Sequence, residues 1–187
     1  MVKVVVVNGA PSAGKSLFER LCAEQCSVFR NVPGFESVRP LCVDATSTVD
    51  FVKEIAYSCG WDGTKTPENR KFLSDLKALL TQWNNVPYEI FKKRVEGLPK
   101  TYDWIVFVDC REPEEIQKLK DGMSATTLLI RREQAEGAET SNASDANVLN
   151  YNYDLTIWNN SDIIDLEKQA EKFIDYMRGR PHYEHDN

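Results

Sequence analysis

The sequence predicts an α/β fold built on a parallel sheet of about five strands. Residues 3–7 contain four consecutive valines, which is typical of a central strand buried on both faces. This segment runs into a glycine-containing turn and then into a helical pattern, and apolar strand-like and helical segments alternate along the rest of the chain. Such alternation indicates parallel strands joined by helices.

Each remaining element is predicted from its hydrophobic period and its end signals. Apolar residues recurring every three or four positions indicate helices, and Thr66 before Pro67 is a typical helix start. The predicted helices are one after the glycine-containing turn, with apolar residues at 17, 18, 21 and 22, then 48–59, 67–83, 87–96, 113–122 and 162–177, the last burying Ile163, Leu166, Ala170, Phe173, Ile174 and Met177. The predicted strands after the first are 40–43 ending at Asp44, 102–109, 125–130 and 154–158.

Three segments depart from this alternation, although we expect 1–187 to form a single domain. Residues 48–97 are helical and lie between two predicted strands, so they form a helical insertion. Residues 131–152 are rich in Glu, Asn, Ser and Ala, and such stretches inside a compact chain are usually functional or disordered. We expect 131–152 to be a lid and 178–187 to be a flexible tail.

Composition excludes several classes of partner. The chain has 187 residues, with 23 Lys plus Arg against 29 Asp plus Glu, and a formal net charge of −6. A nucleic-acid polymer as partner would favour the opposite balance. No apolar run comes near the roughly 20 residues of a membrane span, and the N-terminal residues do not resemble a signal peptide.

The cysteines indicate a reducing compartment. The chain has five cysteines, an odd number, and their spacing is not that of a zinc ribbon. Cys22 and Cys26 are four residues apart within an apolar helical pattern, where small core residues are a better interpretation than a metal pair. We therefore expect a cytoplasmic protein.

One motif predicts a phosphate-binding site. It is the G-x-x-x-x-G-K-S sequence between the first predicted strand and the first predicted helix. Glycines allow the backbone to wrap a phosphate, and amides at a helix N-terminus point at its oxygens. Lys15 is expected to reach the β and γ phosphates of a nucleoside triphosphate, and the Ser16 hydroxyl to bind Mg²⁺. The alternative is a tight turn without function. The expected phosphate-binding residues are Gly9, Ala10, Pro11, Ser12, Ala13, Gly14, Lys15 and Ser16.

Two aspartates end predicted strands. Asp109 follows the hydrophobic residues 105–108, where a carboxylate would hold Mg²⁺ directly or through water. An Asp at the end of a strand is also an ordinary turn residue. Asp44 ends the second predicted strand and is a candidate for binding the acceptor substrate. No N-K-x-D motif for guanine occurs, so a small kinase fits better than a GTPase.

Together with the phosphate loop, three further pieces resemble a known family, the phage-type deoxynucleoside monophosphate kinases of the P-loop nucleoside monophosphate kinase group. Residues 49–76 are similar to the segment after that family's second strand, 109–116 resemble its D-x-R-x-P-x-E box, and 153–160 its last strand and turn. The resemblance implies a doubly wound sheet of order 2-3-1-4-5 and ATP-dependent phosphorylation of a nucleoside or deoxynucleoside monophosphate. The His-x-Ser-Glu-like lid element of the family is replaced here by residues 141–145.

Basic side chains complete the expected site. Lys15, Arg111, Arg131 and Arg132 would share the charge of the transferring phosphoryl group, because the arginine fork binds phosphate oxygens in pairs. Arg131 and Arg132 could instead be solvated lid charges, and Arg111 could pair with a nearby carboxylate. Arg70 and Lys71 are candidate contacts to the acceptor, or part of a solvated helix face.

Three functions remain open at this stage. A monophosphate acceptor needs no general base, since its phosphate is already largely ionised at neutral pH. For a hydroxyl acceptor, as in nucleoside, shikimate or gluconate kinases, Asp44 would orient or deprotonate the hydroxyl; phosphomevalonate kinases also remain open. The third reading is a switch that binds ATP without efficient transfer. The expected partners are small nucleotides, with no nucleic-acid polymer and no membrane, and homodimer formation is left open.

Overall fold

The computed structural model describes residues 1–28, 39–136 and 148–179. Their contacts form two compact units, one made of Met1–Ala45 with Pro99–Asn187 and the other of Thr46–Leu98. The predicted insertion, 48–97, lies within the second unit. Residues 137–147 of the predicted lid and 180–187 of the predicted tail lie outside the described residues.

A five-stranded sheet has the order β2-β3-β1-β4-β5, which confirms the predicted fold class and strand order. The pairs β1–β3, β1–β4 and β4–β5 are parallel. Strand β1 lies at the centre because its valines, Val4 to Val7, are at most 5% exposed and need cover on both faces. The strands are β1 (Val2–Asn8), β2 (Leu41–Ser47), β3 (Asp103–Asp109), β4 (Thr126–Arg131) and β5 (Leu155–Trp158).

The strand register brings the ends of β1 and β3 to the same edge of the sheet. Val7 of β1 is paired with Asp109, the last residue of β3, and the amide of Cys110 donates to the Val7 carbonyl oxygen at 3.2 Å. On the other side of β1, Asn8 is paired with Leu129 of β4. Functional groups that follow β1, β3 and β4 therefore lie near one another.

Four α-helices among the described residues belong to the unit that contains the centre of the sheet. They are α1 (Lys15–Val28), α5 (Pro113–Met123), the short α6 (Glu133–Glu136) and α7 (Ile163–Met177). Helix α7 begins behind Asp162, whose side chain accepts a hydrogen bond from the Asp165 amide at 2.9 Å. Phe18 of α1, Phe107 of β3 and Phe173 of α7 are fully buried and contact one another, with ring centroids 5.4–6.4 Å apart. This aromatic cluster anchors α1, and with it the end of the phosphate loop.

The second unit contains the helices α2 (Asp50–Ser58), α3 (Pro67–Asn84) and α4 (Val86–Glu96). Thr66 caps α3 as predicted, since its side chain accepts a hydrogen bond from the Asn69 amide at 3.2 Å. None of the apolar residues of α3 is buried; Leu79 is 62% and Trp83 80% exposed. No helix among the described residues is long and apolar enough to span a membrane.

Three details of the predicted elements are wrong. Strand β2 continues to Ser47 instead of ending at Asp44, because the chain turns only where the Ser47 amide donates to the Asp50 carboxylate at 2.7 Å. Ile163 was expected to be buried but is 50% exposed, because it lies in the first turn of α7, ahead of the part that packs on the core. Helix α5 runs one residue past Gly122 and ends where Ser124 takes a left-handed conformation with φ 51°.

Candidate functional site

Residues 9–14 form a loop between the end of β1 and the start of α1, and its close packing explains its first glycine. A Cβ atom on Gly9 would overlap the Ile130 carbonyl oxygen, so no other residue fits at this position without a shift of β4. Within the loop the Ala13 amide donates to the Ala10 carbonyl oxygen at 3.1 Å, and Ser12 adopts a left-handed conformation with φ 64°. The loop therefore has a specific curved backbone.

Asn159, just after β5, holds the other end of the loop. Its Nδ2 donates to the Ala13 carbonyl oxygen at 2.8 Å, and its amide donates to the Arg131 carbonyl oxygen at 2.8 Å. Gly14 has φ 104°, and a Cβ there would overlap Nδ2 of Asn159. The sequence analysis did not identify Asn159 as a site residue, since only the fold brings it to the loop across 146 positions.

Asn8 links the start of the loop to Tyr153. Its Oδ1 accepts a hydrogen bond from the Gly9 amide at 2.8 Å, and its Nδ2 donates to the Tyr153 hydroxyl oxygen at 2.7 Å. The Tyr153 hydroxyl in turn donates to the Val148 carbonyl oxygen at 2.9 Å. Burial raises the pKa of Tyr153 to about 12, so this hydroxyl keeps its proton at neutral pH. This chain of hydrogen bonds holds the start of the loop in place.

Lys15 begins α1 and brings a positive charge to the loop. Its Nζ donates to the carbonyl oxygens of Gly9 at 2.8 Å and Ala10 at 3.2 Å. The first amides of α1 have no carbonyl acceptor within the helix, and the helix dipole is positive at this end. A curved backbone, the first amides of a helix and a lysine at one point form the arrangement that binds phosphate groups.

The oxygens near the loop suit a magnesium ion. Oδ1 of Asp109 is buried and accepts no hydrogen bond from a described residue, although the side chain has other interactions. Ser16 is exposed at the start of α1. Hydroxyl and carboxylate oxygens are the ligands Mg²⁺ prefers, and Mg²⁺ usually keeps waters and phosphate oxygens as its other ligands. Within the described parts of the chain there is no group of three or more His, Cys, Asp or Glu side chains that could hold a metal ion.

Glu19 is a further residue that the sequence analysis missed. It lies on α1 one helical turn after Lys15 and is 8% exposed. Burial raises the pKa of Glu19 to about 7; the negative charge of Asp109 adds to this shift and the positive charge of Lys15 opposes it. A signal was present in the sequence, because Glu19 falls between Phe18 and Cys22 in the apolar pattern of the helix.

The three arginines predicted to be catalytic differ in the contacts that they make. Arg131 is held by Glu136 through two hydrogen bonds, from Nε at 2.6 Å and Nη2 at 2.7 Å, and lies 4.2 Å from the Trp158 ring centre. Nη2 of Arg132 donates to Gln134 at 3.3 Å. Arg111 follows Asp109, and its carbonyl oxygen accepts a long hydrogen bond from Asn8. Contact of these side chains with phosphate stays a prediction.

The candidate acceptor residues lie in separate parts of the chain. Asp44 is half-buried inside β2, and not at its end as predicted. Arg70 and Lys71 are exposed in the first turns of α3, where Nζ of Lys71 is 2.5 Å from Asp75. Their roles in binding an acceptor also stay predictions.

The fold and the loop together define a P-loop architecture, with the phosphate loop between the central strand of a parallel sheet and the first helix. The chain is similar in structure to a thymidylate kinase from Ehrlichia chaffeensis, at 14% identity and a TM-score of 0.47, over 94% of this chain and 98% of that one. It is also similar to TT1252 from Thermus thermophilus, at 15% identity and a TM-score of 0.47, over 94% of this chain and 97% of that one. A shikimate kinase from Bacteroides thetaiotaomicron is similar at 7% identity and a TM-score of 0.42, over 94% of this chain and 98% of that one.

Sequence comparisons add nothing to these structural similarities. No model of a known protein family matches the chain. No curated protein matches it significantly in sequence.

Proposed function

We propose that this chain transfers the γ-phosphoryl group of ATP to a nucleoside or deoxynucleoside monophosphate. The observation that carries the proposal is the loop from Gly9 to Ser16, whose backbone is held in a phosphate-binding curve and which carries Lys15 at the start of α1. Asp109 supports it, because a carboxylate at the neighbouring strand end suits the magnesium ion that accompanies ATP.

The chain's own residues would act mainly by position and charge. The loop amides and Lys15 would hold the β and γ phosphates, and Ser16 and Asp109 would hold Mg²⁺, which when bound neutralises phosphate charge. An oxygen of the acceptor phosphate forms the new bond to the γ phosphorus while the bond to ADP breaks. That oxygen is already ionised at neutral pH, so the residues near the loop need not supply a general base.

The nature of the acceptor is supported by sequence resemblance. Residues 109–116, the D-x-R-x-P-x-E box, and 153–160 resemble deoxynucleoside monophosphate kinases. On this interpretation Asp44, Arg70 and Lys71 contact the acceptor. A reducing compartment such as the cytoplasm suits the five cysteine thiols, of which Cys59 is exposed.

A coupled assay of ADP release tests the proposal. Wild-type protein is given Mg-ATP with each common nucleoside and deoxynucleoside monophosphate, and turnover is expected with at least one of them. Lys15→Met should abolish turnover, whereas Lys168→Met on the exposed side of α7 should not change it. Absence of turnover with every acceptor would overturn the proposal.

Asp44→Asn separates two kinds of acceptor. For a monophosphate acceptor, the substitution should weaken acceptor binding and leave turnover at saturation within roughly tenfold of wild type, since no general base is needed. For a hydroxyl acceptor, loss of a base should lower turnover by roughly 10²–10⁴-fold with ATP binding intact. ATP binding by wild type without acceptor-dependent ADP release would indicate a switch instead of a kinase.

A further inference from the structure

The hydrogen bonds that lead from the phosphate loop to Val148 all run in one direction, which the chemistry of the groups dictates. The Gly9 amide can only donate, so Oδ1 of Asn8 accepts from it at 2.8 Å and Nδ2 faces the other way. Nδ2 can only donate, so the Tyr153 hydroxyl oxygen accepts from it at 2.7 Å. The single hydroxyl proton of Tyr153 is then donated to the Val148 carbonyl oxygen at 2.9 Å. Each group in this chain therefore has one possible role.

The orientation of Asn8 depends on the Tyr153 hydroxyl. Asn8 is 0% exposed, and besides Tyr153 its Nδ2 contacts the Arg111 carbonyl oxygen, at the long distance of 3.5 Å. A buried N–H group that loses its acceptor is costly, so the side-chain amide would turn towards a new one. If Asn8 turns, the Gly9 amide loses its acceptor as well. The Tyr153 hydroxyl thus holds Asn8 in the one orientation that also holds Gly9.

Gly9 connects these hydrogen bonds to the groups that are expected to bind phosphate. Its carbonyl oxygen accepts a hydrogen bond from Nζ of Lys15 at 2.8 Å. Its backbone also packs closely on β4, where a Cβ on Gly9 would overlap the Ile130 carbonyl oxygen. A rotation of Gly9 would therefore move the carbonyl oxygen that Lys15 contacts, together with the backbone that leads into the rest of the loop.

We propose that Tyr153 is a positioning residue for the nucleotide, whose hydroxyl acts through Asn8 to keep the phosphate loop in the shape that binds a triphosphate. The inference rests on the proposed function, because it concerns the same loop. A loop that already has its binding shape binds its ligand without an ordering cost. If loss of the hydroxyl leaves that shape in about a tenth of the molecules, the apparent dissociation constant of the nucleotide rises about tenfold.

A purely structural role for Tyr153 makes a different prediction. In that case Tyr153→Phe lowers the unfolding temperature, and the folded protein binds the nucleotide normally. Thr127→Val is the matched control, because the Thr127 hydroxyl also accepts one hydrogen bond and donates another. It accepts from the Asp154 amide and donates to Oδ2 of Asp154, both at 2.9 Å. Thr127 is 0% exposed in β4, so this variant also loses a buried hydroxyl, and its two bonds lead to Asp154 instead of the loop.

Isothermal titration calorimetry with adenylyl imidodiphosphate and Mg²⁺ measures the affinity of each variant for the nucleotide. We expect the dissociation constant to rise about 5–20-fold in Tyr153→Phe and to stay within about twofold of wild type in Thr127→Val. Both variants should unfold at a lower temperature than wild type. In the coupled assay, Tyr153→Phe should raise the KM for ATP by the same factor as the dissociation constant. Its KM for the acceptor and its turnover at saturation should stay within about threefold of wild type.

A double-variant cycle tests whether Tyr153 acts through Asn8. Asn8→Leu removes the side-chain amide with little change in size, and it should weaken nucleotide binding at least as much as Tyr153→Phe. Adding Tyr153→Phe to Asn8→Leu should weaken binding by less than about twofold more. The double variant replaces two bonded polar groups by apolar ones, which is nearly neutral for stability. Comparing it with Asn8→Leu therefore serves also where Tyr153→Phe alone fails to fold.

The outcomes separate this inference from the proposed function. If wild type does not bind the analogue, both are overturned. If wild type binds it and either Tyr153→Phe or Asn8→Leu binds it equally well, only the inference is overturned. The same holds if Thr127→Val loses as much affinity as Tyr153→Phe, or if the losses in Asn8→Leu and Tyr153→Phe add in full. If the expected affinities are found but no monophosphate is phosphorylated, the inference stands and the proposed acceptor is wrong.

Discussion

The contact between Asn159 and Gly14 can be tested by a pair of substitutions, Asn159→Ala and Gly14→Ala, made alone and together. In the structure Nδ2 of Asn159 donates to the buried Ala13 carbonyl oxygen at 2.8 Å. The same Nδ2 occupies the space that a Cβ on Gly14 would need. The two positions should therefore be energetically coupled.

The magnitudes follow from these contacts. Asn159→Ala leaves a buried carbonyl oxygen without its donor, which costs about 1–3 kcal/mol of unfolding free energy. Gly14→Ala places a side chain at φ 104°, which costs roughly 1–3 kcal/mol for the backbone alone, and adds the overlap with Asn159. In the double variant that overlap is absent. We expect the double variant to lose about 1–2 kcal/mol less than the sum of the single losses.

Urea unfolding at 25 °C, followed by both fluorescence and circular dichroism, measures the three free energies. Asn160→Ala is the control: its Oδ1 accepts a hydrogen bond from the Glu133 amide at an exposed position, so it should cost less than about 1 kcal/mol. If the losses at Asn159 and Gly14 add to within about 0.5 kcal/mol, the two residues do not pack together and the account of the loop is wrong.

Three further predictions concern charge and capping. Folding raises the pKa of Glu19 from 4.5 to about 7, so its charged form destabilises the fold. The unfolding free energy of wild type should therefore fall by about 2–3 kcal/mol between pH 5 and 8. Urea unfolding measured over this pH range should show no such loss in Glu19→Gln. Arg131→Lys cannot form the paired hydrogen bonds to Glu136 and should lower the unfolding free energy by about 0.5–1 kcal/mol in urea; no change would mean the pair is not formed. Thr66→Ala should cost about 1 kcal/mol, whereas Thr66→Ser, which keeps the hydroxyl that caps Asn69, should cost less than half of that, and equal losses would exclude the cap.

Local signals in the sequence are sufficient to predict the central strand of the sheet and the phosphate loop. Four valines before a glycine-containing turn predict a buried central strand, and the structure has β1 there. The spacing of Gly9, Gly14, Lys15 and Ser16 predicts a phosphate loop without any knowledge of its neighbours. The Thr66 cap is equally local. These features depend on residues a few positions apart, so one sequence contains all the information they need.

The remaining features depend on residues that are distant in the chain. Asn159 and Tyr153 stabilise the loop only because β5 returns beside β4, and nothing near either residue indicates the contact. Glu19 was overlooked because a glutamate on a surface helix is ordinary, and its burial follows from packing of α1 on the sheet. Strand β2 was predicted to be too short because aspartate is uncommon inside strands.

The central claim is that the loop from Gly9 to Ser16 directs a phosphoryl group from ATP to a nucleoside monophosphate. The most direct measurement uses ATP labelled with ³²P at the γ position, Mg²⁺ and each monophosphate in turn, with the products separated by chromatography. We predict that the label appears in a nucleoside diphosphate made from the acceptor, and that Lys15→Met abolishes this product. Label found only in inorganic phosphate, or only in unreacted ATP, with every acceptor would contradict the account.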